Sequence, residues 1–437
     1  MTTIITEQYP VAHNAMAPAL GKVWRRLIPF LFVLYIVNYL DRINIGFAAL
    51  SMNKDLMLSA TVFGLANSIF YVGYVACEIP SNLLLVRYGA RTWIARILVS
   101  WGLASAATML VLGPYSLYFV RFWVGLLEAG FVPGILLYLT YWIPDSHRAR
   151  ANGRLMMAQP VAMVVGGGLS GVILEHMDGV MGLQGWRWMF LVEGAPAVIL
   201  GVMAYFYLTD KPRDAKWLTD GEKGDLAALM GGKAALAARA AGSVWKQVLE
   251  TRIVLLALAY FCLVNTINAN ATWIPTIVRE VLKAYSLTYV GLVTAIPALC
   301  ALVAMPLWSR SSDRSGERVF HVILPMALAA VGWLVVIYFP EPILRMSGLT
   351  FTVCGAFCAM CVFWTLPQAI LSEEARPAGI GFISAVGLLG SAVSPAVVGF
   401  LKDLTNSFAA GLFYVAGLLA VSIVLVYVVH RWTARRT

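Results

Sequence analysis

Four charged side chains, Asp41, Arg42, Arg121 and Glu128, sit inside stretches of sequence that are otherwise apolar. A charge deep in a membrane span is costly and almost always faces the interior of a helix bundle or a watered cavity. The chemistry open to such a set is recognition and proton exchange. A guanidinium grips a carboxylate through two parallel hydrogen bonds and keeps its charge. A buried carboxyl group holds its proton more tightly, a neighbouring Arg loosens it, and a change of surroundings can therefore load or unload a proton. Arg42 is the expected anchor for a carboxylate ligand, with Asp41 and Glu128 as proton carriers. A fixed Asp41–Arg121 ion pair that merely locks two helices is the competing reading.

Bond-making chemistry has little to work with. All five histidines, His13, His147, His176, His321 and His430, fall in tails, loops or span ends, and no span carries a nucleophile triad. Cys354, Cys358 and Cys361 share a helix face, but no His or further Cys stands near enough to complete a soft-metal site, so packing is the expectation. All six cysteines lie in apolar runs and imply no disulfide framework. No enzyme activity, metal or cofactor is expected; a proton gradient would supply the driving force.

The elements that must position these groups follow from composition. The chain has 437 residues, 60% hydrophobic and only 12% charged, with mean hydropathy +0.78. A soluble domain has roughly 45–50% apolar and about 25% charged residues. Lipid is the implied solvent. A crossing needs about 20 apolar residues, and candidate crossings begin near Leu27, Thr61, Trp93, Tyr115, Leu155 and Trp188, then near Ile253, Leu287, Phe320, Leu349, Ile380 and Phe408. The expectation is an all-α membrane protein of twelve transmembrane helices in two pseudo-symmetric six-helix bundles. Its parts are a cytoplasmic tail at 1–26, bundles at 27–208 and 253–429, a cytoplasmic loop at 209–252 and a second tail at 430–437. The tail lacks the pattern of a cleaved signal peptide.

Basic residues orient the spans. With the N-terminus inside, 24 Lys and Arg fall in inner segments and 6 in outer ones, which with Arg42 and Arg121 accounts for all 32. Both termini are expected in the cytoplasm, and the net charge of +10 is explained by topology without a nucleic-acid partner. The connection containing Arg87, Gly89 and Arg91 is repeated after the eighth span, where Asp313 precedes Arg314, Gly316 and Arg318 at one constant spacing from the first three. A duplicated six-span unit facing itself across a midplane site is the plan of many secondary transporters. In the central loop, Thr219-Asp220-Gly221-Glu222 has the capping-box pattern and predicts a short amphipathic helix on the inner surface, or a solvated linker.

Depth follows from the helical rise of about 1.5 Å per residue. Asp41 and Arg121 each come out roughly 21 Å above the inner boundary, and Glu128 lies on the face of Arg121 about 10 Å lower, with no basic partner at its own level. Arg42 points about 100° away from Asp41, toward the cavity. Asn38, Tyr39, Tyr71, Tyr74, Gln159, Asn265, Asn268, Asn270, Trp364, Gln368 and Ser384 are further polar groups on spans. Singly each is well explained as helix glue, where hydrogen bonds average about 0.6 kcal/mol; together they could line a polar midplane. Glu78 and Glu193 fall near span ends, where an interfacial position is expected.

Three stretches carry a family resemblance: NYLDRINIGFAALSMNKDL from Asn38, RFWVGLLEAGFVPGILLYLTYWIPDSHRAR from Arg121, and GWRWMFLVEGAPA from Gly185. The chain resembles the anion:cation symporter family of the major facilitator superfamily, over about Leu27 to Val429, and within it the branch of tartrate transporters. The resemblance implies uptake of a small organic anion with protons through alternating access, in the inner (plasma) membrane, as a monomer. It implies Asp41 and Glu128 as proton sites with Arg121 as their partner. Substrate contacts would come from Arg42, Tyr39, Tyr74 and Gln159, with Trp364 in the tenth span; Asn268 and Ser384 complete the candidate set. Two positions depart from the family pattern. Val86 stands where the gate motif usually has Asp, and Gly387-Leu388-Leu389-Gly390 lacks an Asn found in members that carry sugar acids. An aromatic carboxylate as substrate, and uniport or anion exchange as mechanism, stay open beside the tartrate-like reading.

Overall fold

A computed structural model describes residues 18–230, 241–372 and 375–434, and every long element among them is an α-helix. Expectations for the stretch 1–17 with His13, for Lys233 and Arg239, and for Arg435 and Arg436 lie outside the described residues. The first half contains α1 (Pro18–Asp55), α2 (Ala60–Tyr88), α3 (Ala90–Ala106), α4 (Pro114–Glu128), α5 (Phe131–Thr140), α6 (Asp145–Met156), α7 (Ala158–His176) and α8 (Gly185–Tyr207). Two connecting helices follow, α9 (Asp220–Met230) and α10 (Ala241–Val248). The second half contains α11 (Thr251–Val281), α12 (Leu287–Ser315), α13 (Phe320–Tyr338), α14 (Pro342–Phe363), α15 (Thr365–Ile370), α16 (Arg376–Thr405) and α17 (Ala409–Ala434).

Eleven crossings are long and apolar enough for a bilayer when α4 with α5, α6 with α7 and α14 with α15 are each taken as one. The 38-residue α1, interrupted in its apolar character by Asp41 and Arg42, makes the twelfth. Helices begin earlier than the apolar runs that reveal them: α1 starts at Pro18 rather than Leu27, and α14 at Pro342 rather than Leu349. Apolar runs mark the hydrocarbon core, whereas backbone hydrogen bonding carries the helix on into the polar interface.

Lipid is as apolar as a Leu side chain, so close packing rather than hydrophobic contrast must hold the bundle together. Within the first half α3 packs on α8, α2 on α4, and α1 on α7 and α8; within the second, α13 packs on α14, α11 on α16 and α17, and α12 on α14. The halves meet through α2 with α16, α7 with α12, and α1 with α11. One apolar core runs through the second half and into the parts of α1, α2, α7 and α8 farthest from the chain termini. A second fills the part of the first half nearer the termini.

The central connection forms the expected helix with the expected cap. The Glu222 carboxylate accepts the Thr219 N–H at 2.9 Å and the Thr219 hydroxyl accepts the Glu222 N–H at 3.3 Å. Lys22 Nζ on α1 lies 2.6 Å from Glu222, and this hydrogen bond holds the Glu222 carboxyl below its ordinary value of 4.5. Leu226 is buried against the first half, and Trp217 stacks on Trp142 at 5.4 Å. The helix is thus docked on protein. Leu226→Ala removes an anchor of a kind that costs roughly 2–5 kcal/mol in cores; trypsin should then cut after Lys223 several-fold faster, with the melting of the membrane bundle nearly unchanged. The Lys22–Glu222 contribution is complete above pH 4.5 and fades as pH falls through the depressed value, so cleavage of the same segment by pepsin, which unlike trypsin is active in acid, should accelerate relative to that of Glu222→Gln as pH falls below 4.5.

Candidate functional site

The fourth crossing breaks at the acid it carries. Glu128 is the last residue of α4, Ala129 leaves the helical region (φ −54°, ψ 135°), and Gly130 turns at φ +85° before α5 begins. A left-handed residue suits glycine, and Pro133 in the first turn of α5 sacrifices no helical hydrogen bond there. Discontinuous helices at the midplane are how transporters expose backbone and re-aim side chains at a ligand.

Glu128 is fully buried. Its Oε1 accepts the Asn38 amide at 2.8 Å and Arg42 Nε at 2.7 Å, and Arg42 Nη2 also lies 2.7 Å away. Nη2 makes that contact at ion-pair distance without an aligned hydrogen bond, and the second carboxylate oxygen, Oε2, has no hydrogen-bond partner among the described residues. Arg42 retains 18% side-chain exposure and lies over the ring of Tyr74 at 4.9 Å. Phe70, one turn earlier on α2, is shared by two guanidiniums, 5.6 Å from Arg42 and 4.7 Å from Arg121.

Asp41 faces the other way. Its Oδ2 accepts Trp101 Nε1 at 2.7 Å, and its Oδ1 accepts the Ser105 hydroxyl and, at 3.1 Å, the Asn44 amide. Arg121 is buried, makes no ion pair within 4.0 Å among the described residues, and leaves Nε without a hydrogen-bond partner. The competing reading, a fixed Asp41–Arg121 ion pair, is therefore overturned: neutral donors on α1 and α3 hold Asp41, and the ion pair is Arg42–Glu128. So is the expectation that Glu128 lacks a basic partner. Cα depths ignore the reach of an Arg side chain, and neighbouring residues on a helix point about 100° apart.

The other candidates fall into separate groups. Tyr39 and Tyr74 are buried near Arg42's stretch of α1 and α2. Gln159 on α7 donates to the Tyr35 hydroxyl at 2.8 Å and has a buried Oε1 with no partner among the described residues. Asn268 on α11 joins the halves: it accepts from the Tyr71 hydroxyl on α2 and donates to Ser391 Oγ on α16 at 2.6 Å. Trp364 lies at the α14–α15 junction, tilted against Tyr260 at 4.7 Å. Ser384 is half-buried on α16, two turns from Ser391. Asn265 and Asn270 act inside the second half, on Tyr414 at 3.1 Å and Thr352 at 3.2 Å. Glu193 is not interfacial as expected: it is 3% exposed and accepts from Ser170 at 2.7 Å.

The repeated motif is built twice. Gly89 (φ +88°) and Gly316 (φ +70°) make the turns. Arg91 donates its backbone N–H to Asp210 at 2.8 Å and its Nε to the Tyr205 carbonyl, while Arg87 lies over Tyr88 at 5.6 Å. Asp210 thus supplies a carboxylate at this turn, where Val86 does not. In the second copy Arg318 pairs with Asp313 at 2.7 Å, and Arg314 lies exposed beside them. Each described contact stays inside its own half.

Trp101, Ser105, Asn44, Tyr35 and Ser391 escaped sequence reasoning as site residues. Their one available signal was spacing: Asn44 is one turn from Asp41, and Trp101 and Ser105 are one turn apart on α3.

The helical bundle agrees with the comparisons. The model of the Major Facilitator Superfamily matches residues 31–285 and 281–436. The chain belongs to this superfamily: it is a multi-pass membrane protein and a secondary transporter, not an enzyme. Two Agrobacterium vitis proteins, each named "Putative tartrate transporter", are similar, one at 42% identity covering 98% of this chain and 95% of the relative, the other at 44% covering 94% of both. The inner membrane transport protein RhmT of Escherichia coli is 34% identical over 92% of this chain and 93% of its own. Among solved structures, a bacterial homolog of the human lysosomal transporter Spinster superposes with TM-score 0.77 at 16% identity, covering 95% of this chain and 98% of that one. It bears on the fold alone.

The Arg42–Glu128 pair gives the site its first test. Removing one partner of a buried ion pair costs roughly 3–5 kcal/mol, nearer the lower figure here because Arg42 is partly exposed. Glu128→Ala and Arg42→Ala should each lower the melting temperature of the purified protein, and the double variant should recover part of the loss. Strict additivity of the two losses would show that the pair is not coupled.

Proposed function

We propose that the chain imports a small organic anion, a tartrate-like dicarboxylate or a related organic acid, by proton symport through alternating access. The observation that carries this reading is the sharing of one partly buried guanidinium. Arg42 is held by Glu128 Oε1, while Glu128 Oε2 is free to accept a proton. Protonation of Glu128 cancels the charge that holds Arg42, and the guanidinium fork then takes a substrate carboxylate bidentately. Loss of that proton restores the pair and expels the anion. Substrate and proton are thereby coupled through competition for one cation.

Asp41, adjacent to Arg42 but facing α3, is the second proton site in this scheme, with Arg121 as the fixed positive charge behind both acids. Tyr39, Tyr74 and Gln159 contact the substrate from the first half; Asn268, Ser384 and Trp364 do so from the second. The motif copies at Arg87–Arg91 and Asp313–Arg318 gate the side of the chain termini. The relatives named for tartrate support the substrate class, and the relative named for the inner membrane supports that location. The bias of Lys and Arg supports cytoplasmic termini. The chain works as a monomer, since both halves of the site come from one polypeptide.

A second reading rests on the aromatic wall formed by Tyr260, Phe363 and Trp364, whose rings lie 4.7–5.8 Å apart: the substrate is an aromatic carboxylate. Uptake of a panel of organic acids into proteoliposomes separates the two. In the same assay Glu128→Gln is expected to lose accumulation driven by an inward proton gradient while still exchanging preloaded substrate. Arg42→Ala should bind none. Full gradient-driven accumulation by Glu128→Gln would overturn the coupling scheme, and unchanged affinity in Arg42→Ala would move the anchor elsewhere.

A further inference from the structure

At the end of the bundle away from the chain termini, each half caps a helix of the other. Asp403, near the end of α16, accepts the backbone N–H groups of Ala60 at 3.1 Å and Thr61 at 2.7 Å, the first residues of α2. Glu175, near the end of α7, accepts the N–H of Thr288 at 2.7 Å at the start of α12. Both carboxylates are solvent-exposed. The helix starts they cap already have side-chain caps of their own, Ser59 to Val62 N and Ser286 to Tyr289 N, each at 3.2 Å. Each Ser satisfies only one of the N–H groups that a helix start leaves unpaired; Asp403 and Glu175 satisfy others, and each one crosses between the halves.

The two contacts are copies of each other. Ser59 corresponds to Ser286, Thr61 to Thr288 and Gly64 to Gly291, all at the spacing that relates the two gate motifs; Glu175 corresponds to Asp403, and Gly171 to Gly399, with that spacing one position longer. Below each carboxylate the helices touch backbone to backbone. A Cβ at Gly171 would fall 2.8 Å from the Leu287 carbonyl, and one at Gly167 would fall 2.7 Å from that of Gly291. Gly64 meets the Pro395 carbonyl, and Gly399 that of Ala60, in the same way. Opening this end must part α2 from α16 and α7 from α12, which removes both carboxylates from their helix N-termini.

We infer that Asp403 and Glu175 are a matched pair of clasps that hold the end of the transporter opposite its termini shut, and that their release is part of the opening step. A carboxylate at a helix N-terminus gains from both hydrogen bonds and the helix dipole. The inference rests on the alternating access proposed above, but on no particular substrate or coupling ion.

Hydrogen–deuterium exchange of the full-length protein in lipid nanodiscs, without substrate, tests it. In Asp403→Ala/Glu175→Ala, the paired seams around 60–66, 167–175, 287–292 and 395–403 are expected to exchange faster, by roughly 2- to 30-fold per clasp as for loss of a helix cap. Segments at the other end, 305–315 and 376–385, should exchange more slowly as that end closes. Asp403→Asn, which keeps an acceptor oxygen, should fall between wild type and the Ala variant. Faster exchange confined to the first-turn amides of α2 and α12, with the far end unchanged, would make these ordinary caps and overturn the inference. So would no change at all. Should the double Ala variant unfold, Asp403→Asn and Glu175→Gln singly carry the same comparison. Because no substrate is present, failure here leaves the uptake results to stand or fall separately.

Discussion

A carboxylate as fully buried as that of Glu128 must have a counter-charge or bear the full cost of desolvation. The pair Arg42–Glu128 meets that constraint, and much of the first half is arranged around it. α4 ends at Glu128 so that the carboxylate can face α1, and Gly130 allows the chain to resume as α5. Asn38, one turn before Arg42, donates to the same oxygen. The rings of Phe70 and Tyr74 form a floor beneath the guanidinium. Asp41 is kept out of the pair by Trp101, Ser105 and Asn44, which satisfy it from elsewhere. Two adjacent charged residues thereby face two different helices.

The second half has no matching ion pair among its described residues. Its polar groups, Asn265, Asn268, Asn270, Ser391 and Ser394, are neutral and largely bonded to one another or to backbone. Charge chemistry is thus concentrated in one half, and the other offers amides, hydroxyls and the rings of Tyr260, Phe363 and Trp364. The duplication shows instead in the backbone: the turn motifs, the glycine seams and the inter-half caps all recur at spacings that agree to within one position. The frame is thus common to both halves, whereas the buried charges are not.

Much of the architecture was legible because lipid imposes it. Apolar runs located the crossings, and the recurrence of Arg, Gly and Arg exposed the duplication. The capping box at Thr219 foretold α9, though not that Leu226 would dock it on protein rather than lipid. The inward position of the charged set was legible too: Asp41, Arg42, Arg121 and Glu128 all prove buried or nearly so. Their pairing was not. Helical rise places Cα atoms, whereas ion pairs are decided at the tips of side chains several ångströms longer, and Trp101 and Ser105 gave no charge signal that they would claim Asp41. Glu193 misled because distance from a span end says little about which face an acid occupies. Asp403 and Glu175 were invisible for the opposite reason: acids at span ends are commonplace, and only the fold shows that each reaches a helix of the other half.

If one guanidinium serves both partners, a proton on Glu128 and a substrate carboxylate on Arg42 must come and go together. Calorimetric titration of the purified protein with L-tartrate, in buffers of different ionisation enthalpy at one pH, measures the protons taken up on binding. A net uptake is expected, with binding that tightens as pH falls, and its loss in Glu128→Gln. A binding enthalpy that is the same in every buffer, with affinity independent of pH in the wild type, would contradict that coupling.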